Sequence, residues 1–208
     1  MRSDSQALND VLAVAREGAR ISDDPARLAA ARDQFATTSV VVLRGFLVPP
    51  LLTWVQTHVG TGVFQDLVHP ASGVEQCMVD NEVIWMLSFL LGAPDVLRAV
   101  EDITDQRPLT TTKLRVYRFE PGSGHHHRWH DDLGDGRRLG LSVNLSAETF
   151  EGGNLQLRKK GTERLLCDVR NTGAGDAAIF RLAKGVQHQV LPVTGREPRV
   201  ALAGWFRE

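Results

Sequence analysis

Lys113-Leu114-Arg115-Val116-Tyr117-Arg118-Phe119, closed by Glu120-Pro121-Gly122, is the stretch from which the architecture reads. It is a candidate strand stopped by a turn, and from about Leu109 to Phe206 the same alternation of short strand and breaker repeats. Candidate strands follow at Trp129–Asp132, Arg138–Ser146, Asn154–Arg158, Leu165–Val169, Ala177–Arg181, Gln187–Pro192 and Arg199–Phe206. Gly134-Asp135-Gly136, Gly152-Gly153, Gly173-Ala174-Gly175 and Gly195 with Pro198 punctuate them. About eight short strands in one run predict a jelly-roll-like double sheet.

Outward from that core, residues 1–108 read as mainly helical. Leu8, Val11, Leu12 and Ala15 fall on one helical face. Asp24-Pro25 supplies an N-cap and a first-turn proline for a helix over Ala26 to about Phe35. Ser39–Leu43 is β-branched and continuous, hence a short buried strand. Pro49-Pro50 launches a helix through Leu51, Trp54, Val55 and His58, and further helices are expected near Val83–Leu91 and from Pro94 through Ile103. The expectation is one domain over residues 1–208, with a helical layer (1–108) covering a jelly-roll-like double-sheet core (109–208).

The chain has 208 residues, a formal net charge of −1 and a pI of about 6.7. This balance gives no general reason to expect nucleic acid or an anionic membrane as partner. Arg137-Arg138 and Arg158-Lys159-Lys160 are read as solvated turns or strand edges. Cys77 and Cys167 lie in apolar settings and are read as packed thiols. With neither a signal-peptide core nor a membrane-length apolar run, the sequence reads as a soluble cytoplasmic protein.

Chemistry concentrates in Trp129-His130-Asp131-Asp132 and in His188. Along a strand, residues two apart share a face, so His130 and Asp132 project together and Asp131 points away. His188 arrives on another strand, after about four intervening strands. Two imidazoles and a carboxylate suit Fe(II) and leave coordination positions open; zinc is the competing metal. His125-His126-His127 follows a Gly-rich turn and is read as exposed or substrate-facing rather than ligating, while His58 and His69 are read as surface or boundary residues.

These motifs resemble the Fe(II)- and 2-oxoglutarate-dependent dioxygenases, in particular their prolyl-hydroxylase-like branch. The resemblance runs through Tyr117–Gly122, His130-x-Asp132, Leu141–Ser146 with Gly152-Gly153, and His188-Gln189-Val190-Leu191-Pro192-Val193 with Gly195 and Arg199. It implies a double-stranded β-helix with His130, Asp132 and His188 as the metal and catalytic triad, and Fe(II), 2-oxoglutarate and O2 as cofactors. Arg199 would hold the far carboxylate of 2-oxoglutarate, with Arg196 as competitor; a guanidinium fork binds a carboxylate through two parallel bonds. Asn144, with Ser142 and Ser146 on its face, and Tyr117 are further candidates for that shell, and a structural hydrogen bond within the sheet is the alternative for each. Phe119 stands where the family often carries Tyr. Asp132 argues against halogenation, since related halogenases carry a small residue there.

The implied activity is hydroxylation of a C–H bond, coupled to oxidation of 2-oxoglutarate to succinate and CO2. A compact chain favours a small-molecule substrate such as an amino acid or natural-product intermediate. A peptide or protein side chain, nucleobase demethylation and a non-catalytic cupin-like metal-binding protein are the rival readings.

Overall fold

In the computed structural model of the chain, residues 8–9, 11–70, 72–79 and 82–208 are described. The elements in order are β1 (Leu8–Asn9), β2 (Leu12–Ala15), β3 (Gly18–Ile21), α1 (Pro25–Thr38), β4 (Val40–Arg44), α2 (Pro49–Gly60), β5 (Phe64–His69), β6 (Gly73–Met78), α3 (Glu82–Leu91) and α4 (Pro94–Thr104). Then come β7 (Thr111–Phe119), β8 (His126–His130), β9 (Arg137–Asn144), β10 (Leu155–Lys159), β11 (Leu165–Val169), β12 (Ala177–Arg181), β13 (Val186–Val190) and β14 (Arg199–Arg207).

The helices begin where sequence chemistry starts them. Asp24 caps α1 by accepting from the Ala26 N–H at 2.9 Å, with Pro25 in the first turn. Pro49 and Pro94 open α2 and α4. On α4, Val96, Ala99, Val100 and Ile103 repeat at helical spacing and are all buried.

The expected helix around Leu8–Ala15 is replaced by strands: β1 pairs in parallel with β4, and β2 forms a hairpin with β3. Four apolar residues at helical spacing also fit a buried strand, and pairing with β3 decides between the two. The sequence also gives no warning of β5 and β6, so the first half is less helical than expected.

One sheet carries twelve strands, with β5 attached to β6 and the rest in the order β1-β4-β12-β9-β14-β7-β6-β8-β13-β10-β11. It bends over on itself into two layers. Alternation along each strand separates two cores. Leu114 and Val116 of β7, Leu139, Leu141 and Val143 of β9, and Leu202 and Phe206 of β14 face the helices, against Phe35, Leu51, Leu87 and Val100. From the opposite face, Tyr117, Phe119, Phe180 and Ala201 meet Leu155, Leu157, Cys167 and Val190 of the second layer. β4 is buried on both faces, Val41 and Leu43 in the helix-side core and Val40 and Val42 in the second, which accounts for its unbroken apolar run.

Between the layers, the inner face of the central strands is built from small residues. Ser142 lies opposite Ala203, Gly140 opposite Trp205 and Asn144 opposite Ala201. Ser142, Ala203 and Gly204 line the cavity in which the site forms, while the Phe180 ring fills the space over Gly140. Among the described residues no single helix is long and apolar enough to cross a membrane. Only α3 and α4 taken together, as a bent pair, reach that length; Val83, Leu87, Leu91, Val96 and Val100 lie in the helix-side core, while Trp85 and Phe89 of α3 are exposed.

Candidate active site

His130, Asp132 and His188 each bring one donor atom to a common point, all three within 4.8 Å of one another. β8 and β13 pair antiparallel with His130 directly opposite His188, and the rings sit 4.1 Å apart. Asp132 Oδ2 lies 3.6 Å from His130 Nε2 and 3.4 Å from His188 Nε2. The register differs from simple strand spacing in two ways. Asp132 falls just beyond β8 in the left-handed region, with φ 53°, so a turned backbone, and not strand alternation, aims its carboxylate. Within β8, two steps along β13 (His188 to Val190) match three along β8 (His130 to His127). That bulge brings His127 to the inner side along with His130.

Second contacts fix the orientation of the donors. His130 Nδ1 bonds the Arg128 carbonyl at 2.6 Å, which assigns its hydrogen there and leaves Nε2 as the free lone pair. Trp205 Nε1 donates to Asp132 Oδ2 at 3.0 Å, and Arg137 stands 3.6 Å from Oδ1. Phe180 backs His188 with ring centroids 4.8 Å apart. Burial works to raise the Asp132 carboxyl, but hydrogen bonds from His130 and His188 outweigh it and hold the group well below the usual carboxylate range. Burial pushes His188 down. Burial also works to lower His130, but Asp132 and the Arg128 carbonyl reverse it and raise that imidazole. The donor set, two oriented imidazole nitrogens and an ionised carboxylate, fits a divalent first-row ion with open positions.

A cavity of about 430 Å³, including its open mouth, joins the triad to Tyr117, Ser142 and Leu155. Beyond it lies Arg199, 6% exposed. One guanidinium nitrogen donates to the Tyr117 hydroxyl and the other to Ser142 Oγ at 3.0 Å. Arg196 is exposed in the Gly195 turn, so burial separates the two candidate arginines. Asn144 lines an adjoining cavity with Arg199 and Asn171 rather than the triad cavity. Its amide donates to Asn171 Oδ1 at 3.0 Å, and its carbonyl oxygen accepts from the Ser146 N–H at 2.9 Å. Ser146 Oγ in turn bonds the backbone of Val200.

Several residues around the site escape a sequence reading. His125 and His127 are buried, not exposed, and His125 Nδ1 accepts the Glu120 N–H. His127 joins His69 on the two oxygens of Glu75, at 2.9 and 3.0 Å, with Arg115 Nε 3.1 Å away. Glu75 is fully buried. Burial alone would raise its carboxyl, but His127, Arg115 and His69 together lower it to about 2. His69 is therefore part of a buried network and not a plain boundary residue. Arg137, read as a solvated basic residue, instead lies over the Trp205 ring at 3.9 Å. Asp131, just beyond the end of β8, turns to Lys160 at 2.8 Å.

Residues 112–207 match the model of the 2OG-Fe(II) oxygenase superfamily. The match takes in a little under half of the chain, and the family it resembles is one whose description implies Fe(II), 2-oxoglutarate and O2. A PKHD-type hydroxylase of Maricaulis maris is 35% identical over 104 residues, which is 49% of this chain and 44% of that protein. The chain thus spans less than half the length of this relative. A prolyl-4-hydroxylase of Pseudomonas putida superposes with a TM-score of 0.62 at 24% identity, over 87% of this chain and 98% of the other. A Trichoplax adhaerens prolyl hydroxylase, solved with a hypoxia-inducible-factor peptide, gives 0.65 at 18% identity over 89% and 94%. The two structures share the fold.

Proposed function

We propose that the protein is an Fe(II)- and 2-oxoglutarate-dependent dioxygenase that hydroxylates a C–H bond of a small molecule. One observation carries the reading: the His130, Asp132 and His188 donors converge on the same cavity whose inner wall, Tyr117 and Ser142, holds the buried Arg199. In this reading His130, Asp132 and His188 would hold the iron, and Arg199 would bind a carboxylate of 2-oxoglutarate. When bound, the metal and cosubstrate supply the oxidising chemistry, with 2-oxoglutarate leaving as succinate and CO2. The chain's own task is placement. Arg199 offers a charged fork already held by Tyr117 and Ser142, so little freedom is lost on binding a carboxylate. Trp205 and the Arg128 carbonyl hold the triad in its ligating geometry.

A small substrate suits the outer cavity, whose volume of about 300 Å³ is at the lower end of small-ligand pockets. A peptide is the second reading. It is favoured by β5, which pairs only with β6 and leaves an edge beside His69 at that cavity, and by the peptide held by the Trichoplax relative. Near-neutral charge disfavours nucleic acid, and with Cys77 and Cys167 on non-neighbouring strands the cytoplasm is the location we propose.

The test loads the protein anaerobically with Fe(II) and 2-oxoglutarate, admits O2 and measures succinate against a substrate panel. Succinate that depends on Fe(II) and vanishes in Asp132→Ala supports the reading. Fully loaded protein that yields none across the panel overturns it.

A further inference from the structure

The outer cavity over the triad carries a charge pattern that the metal and cosubstrate leave unused. Its wall includes Lys113, Arg115, Arg137 and Trp205, with His130 and Asp132 at its base. The three cations differ in what answers them. Arg115 is engaged by the buried Glu75. Arg137 has only loose contacts, 3.6 Å to Asp132 and 3.4 Å to the exposed Asp135, and is held flat by Trp205. The Lys113 side chain, exposed at the cavity, makes no hydrogen bond or ion pair among the described residues. It sits directly across from Trp205 in the β7–β14 ladder, on the same inner-facing row as Arg115 and Tyr117. Asp132 is the one carboxylate on this wall among the described residues, and a bound metal would claim it. Two cations at the mouth of a walled cavity, one unanswered and one held flat, focus positive potential on whatever enters.

Resting on the function proposed above, we infer that the substrate carries an oxyanion, a carboxylate or a phosphate, bound at the mouth between Lys113 and Arg137. Binding there aligns the rest of the substrate along the Trp205 wall toward His130 and Asp132. Lys113 supplies a mobile point charge and Arg137 a planar fork, so both oxyanion shapes are met by charge-assisted hydrogen bonds. Glu75 contributes by occupying Arg115, which keeps the binding charge at the mouth and away from the reacting end.

The test titrates the full chain, loaded with Mn(II) and 2-oxoglutarate so that Arg199 is filled, with benzoate, phenyl phosphate and the neutral benzamide by calorimetry. Benzoate or phenyl phosphate should bind at least about tenfold tighter than benzamide, and the preference should weaken with salt. Whichever acid binds tighter identifies the oxyanion. In Lys113→Met, an exposed position, the preference should fall to within about threefold while benzamide binding reports an intact cavity. Equal binding of all three probes by the wild type, or an unchanged preference in both Lys113→Met and Arg137→Gln, overturns the inference. Loss of Mn(II) or 2-oxoglutarate binding would sink the proposed function instead; the Lys113-dependent preference is read separately from either.

Discussion

Arg199 and Glu75 are both buried charges, and they differ in what completes them. The Arg199 guanidinium is held by two neutral hydroxyls, Tyr117 and Ser142, so its charge is still available to a ligand. Replacing it with Met should weaken 2-oxoglutarate binding roughly 10- to 150-fold, the equivalent of one or two charge-assisted hydrogen bonds. Lys should recover part of this, as a point charge without the fork; calorimetry with Mn(II) present checks both. Glu75 is answered already by His127, His69 and Arg115. Against the effect of burial, these partners lower its carboxyl from the ordinary 4.5 to about 2. The resulting stabilisation is present above the unfolded value and is lost as pH falls toward the folded one. It amounts to about 3 kcal/mol. Urea midpoints between pH about 5 and 3 should therefore fall more steeply for the wild type than for Glu75→Gln, although the variant is the less stable of the two at neutral pH. Parallel curves would refute this. Neither Glu75 nor His127 could be picked out from sequence: Gly73-Val74-Glu75-Gln76 carries no distinctive spacing, and the β8 bulge changes which histidines of the triplet face inward.

Elements were legible where two signals agreed. Strands in the second half combine apolar content with Gly and Pro stops, and β11 and β12 fall on the expected residues while the others shift by a few residues at most. Capped or proline-led helices were equally clear. Legibility failed at β1 and β2, where helical spacing coincided with a short strand, and at β5 and β6, a hairpin tied into the sheet only through the pairing of β6 with β7 and β8 further along the chain. Of the site, the triad and Arg199 were visible as residues, but the left-handed turn that aims Asp132 was not. A smaller feature also governs the site. A Cβ at Gly140 would lie 2.1 Å from the Phe180 ring, and Phe180 backs His188. Gly140→Ala should therefore destabilise the fold by about 1–3 kcal/mol and loosen metal binding, read as a lower melting temperature and weaker Mn(II) affinity. A variant matching the wild type in both would show that the ring has room to move.

At the scale of the whole molecule, the family match begins at residue 112, yet the sheet does not. β4 pairs with β12, and β6 lies between β7 and β8. The helices cover the apolar faces of β7, β9 and β14. We therefore propose that the helical part and the β core fold as one unit. A fragment of residues 109–208 should be insoluble or bind a hydrophobic dye without a cooperative melt; a sharply melting, soluble fragment would refute this. The position of β14 bears on synthesis. It is the last strand in chain order, but it sits in the middle of the sheet between β7 and β9. A ribosome adding roughly 5–20 residues each second leaves those two flanking strands exposed for seconds before their shared neighbour emerges. The nascent polypeptide must pass that interval with unpaired strand edges and apolar faces open, which makes it a natural client for chaperones that shield unfinished sheets.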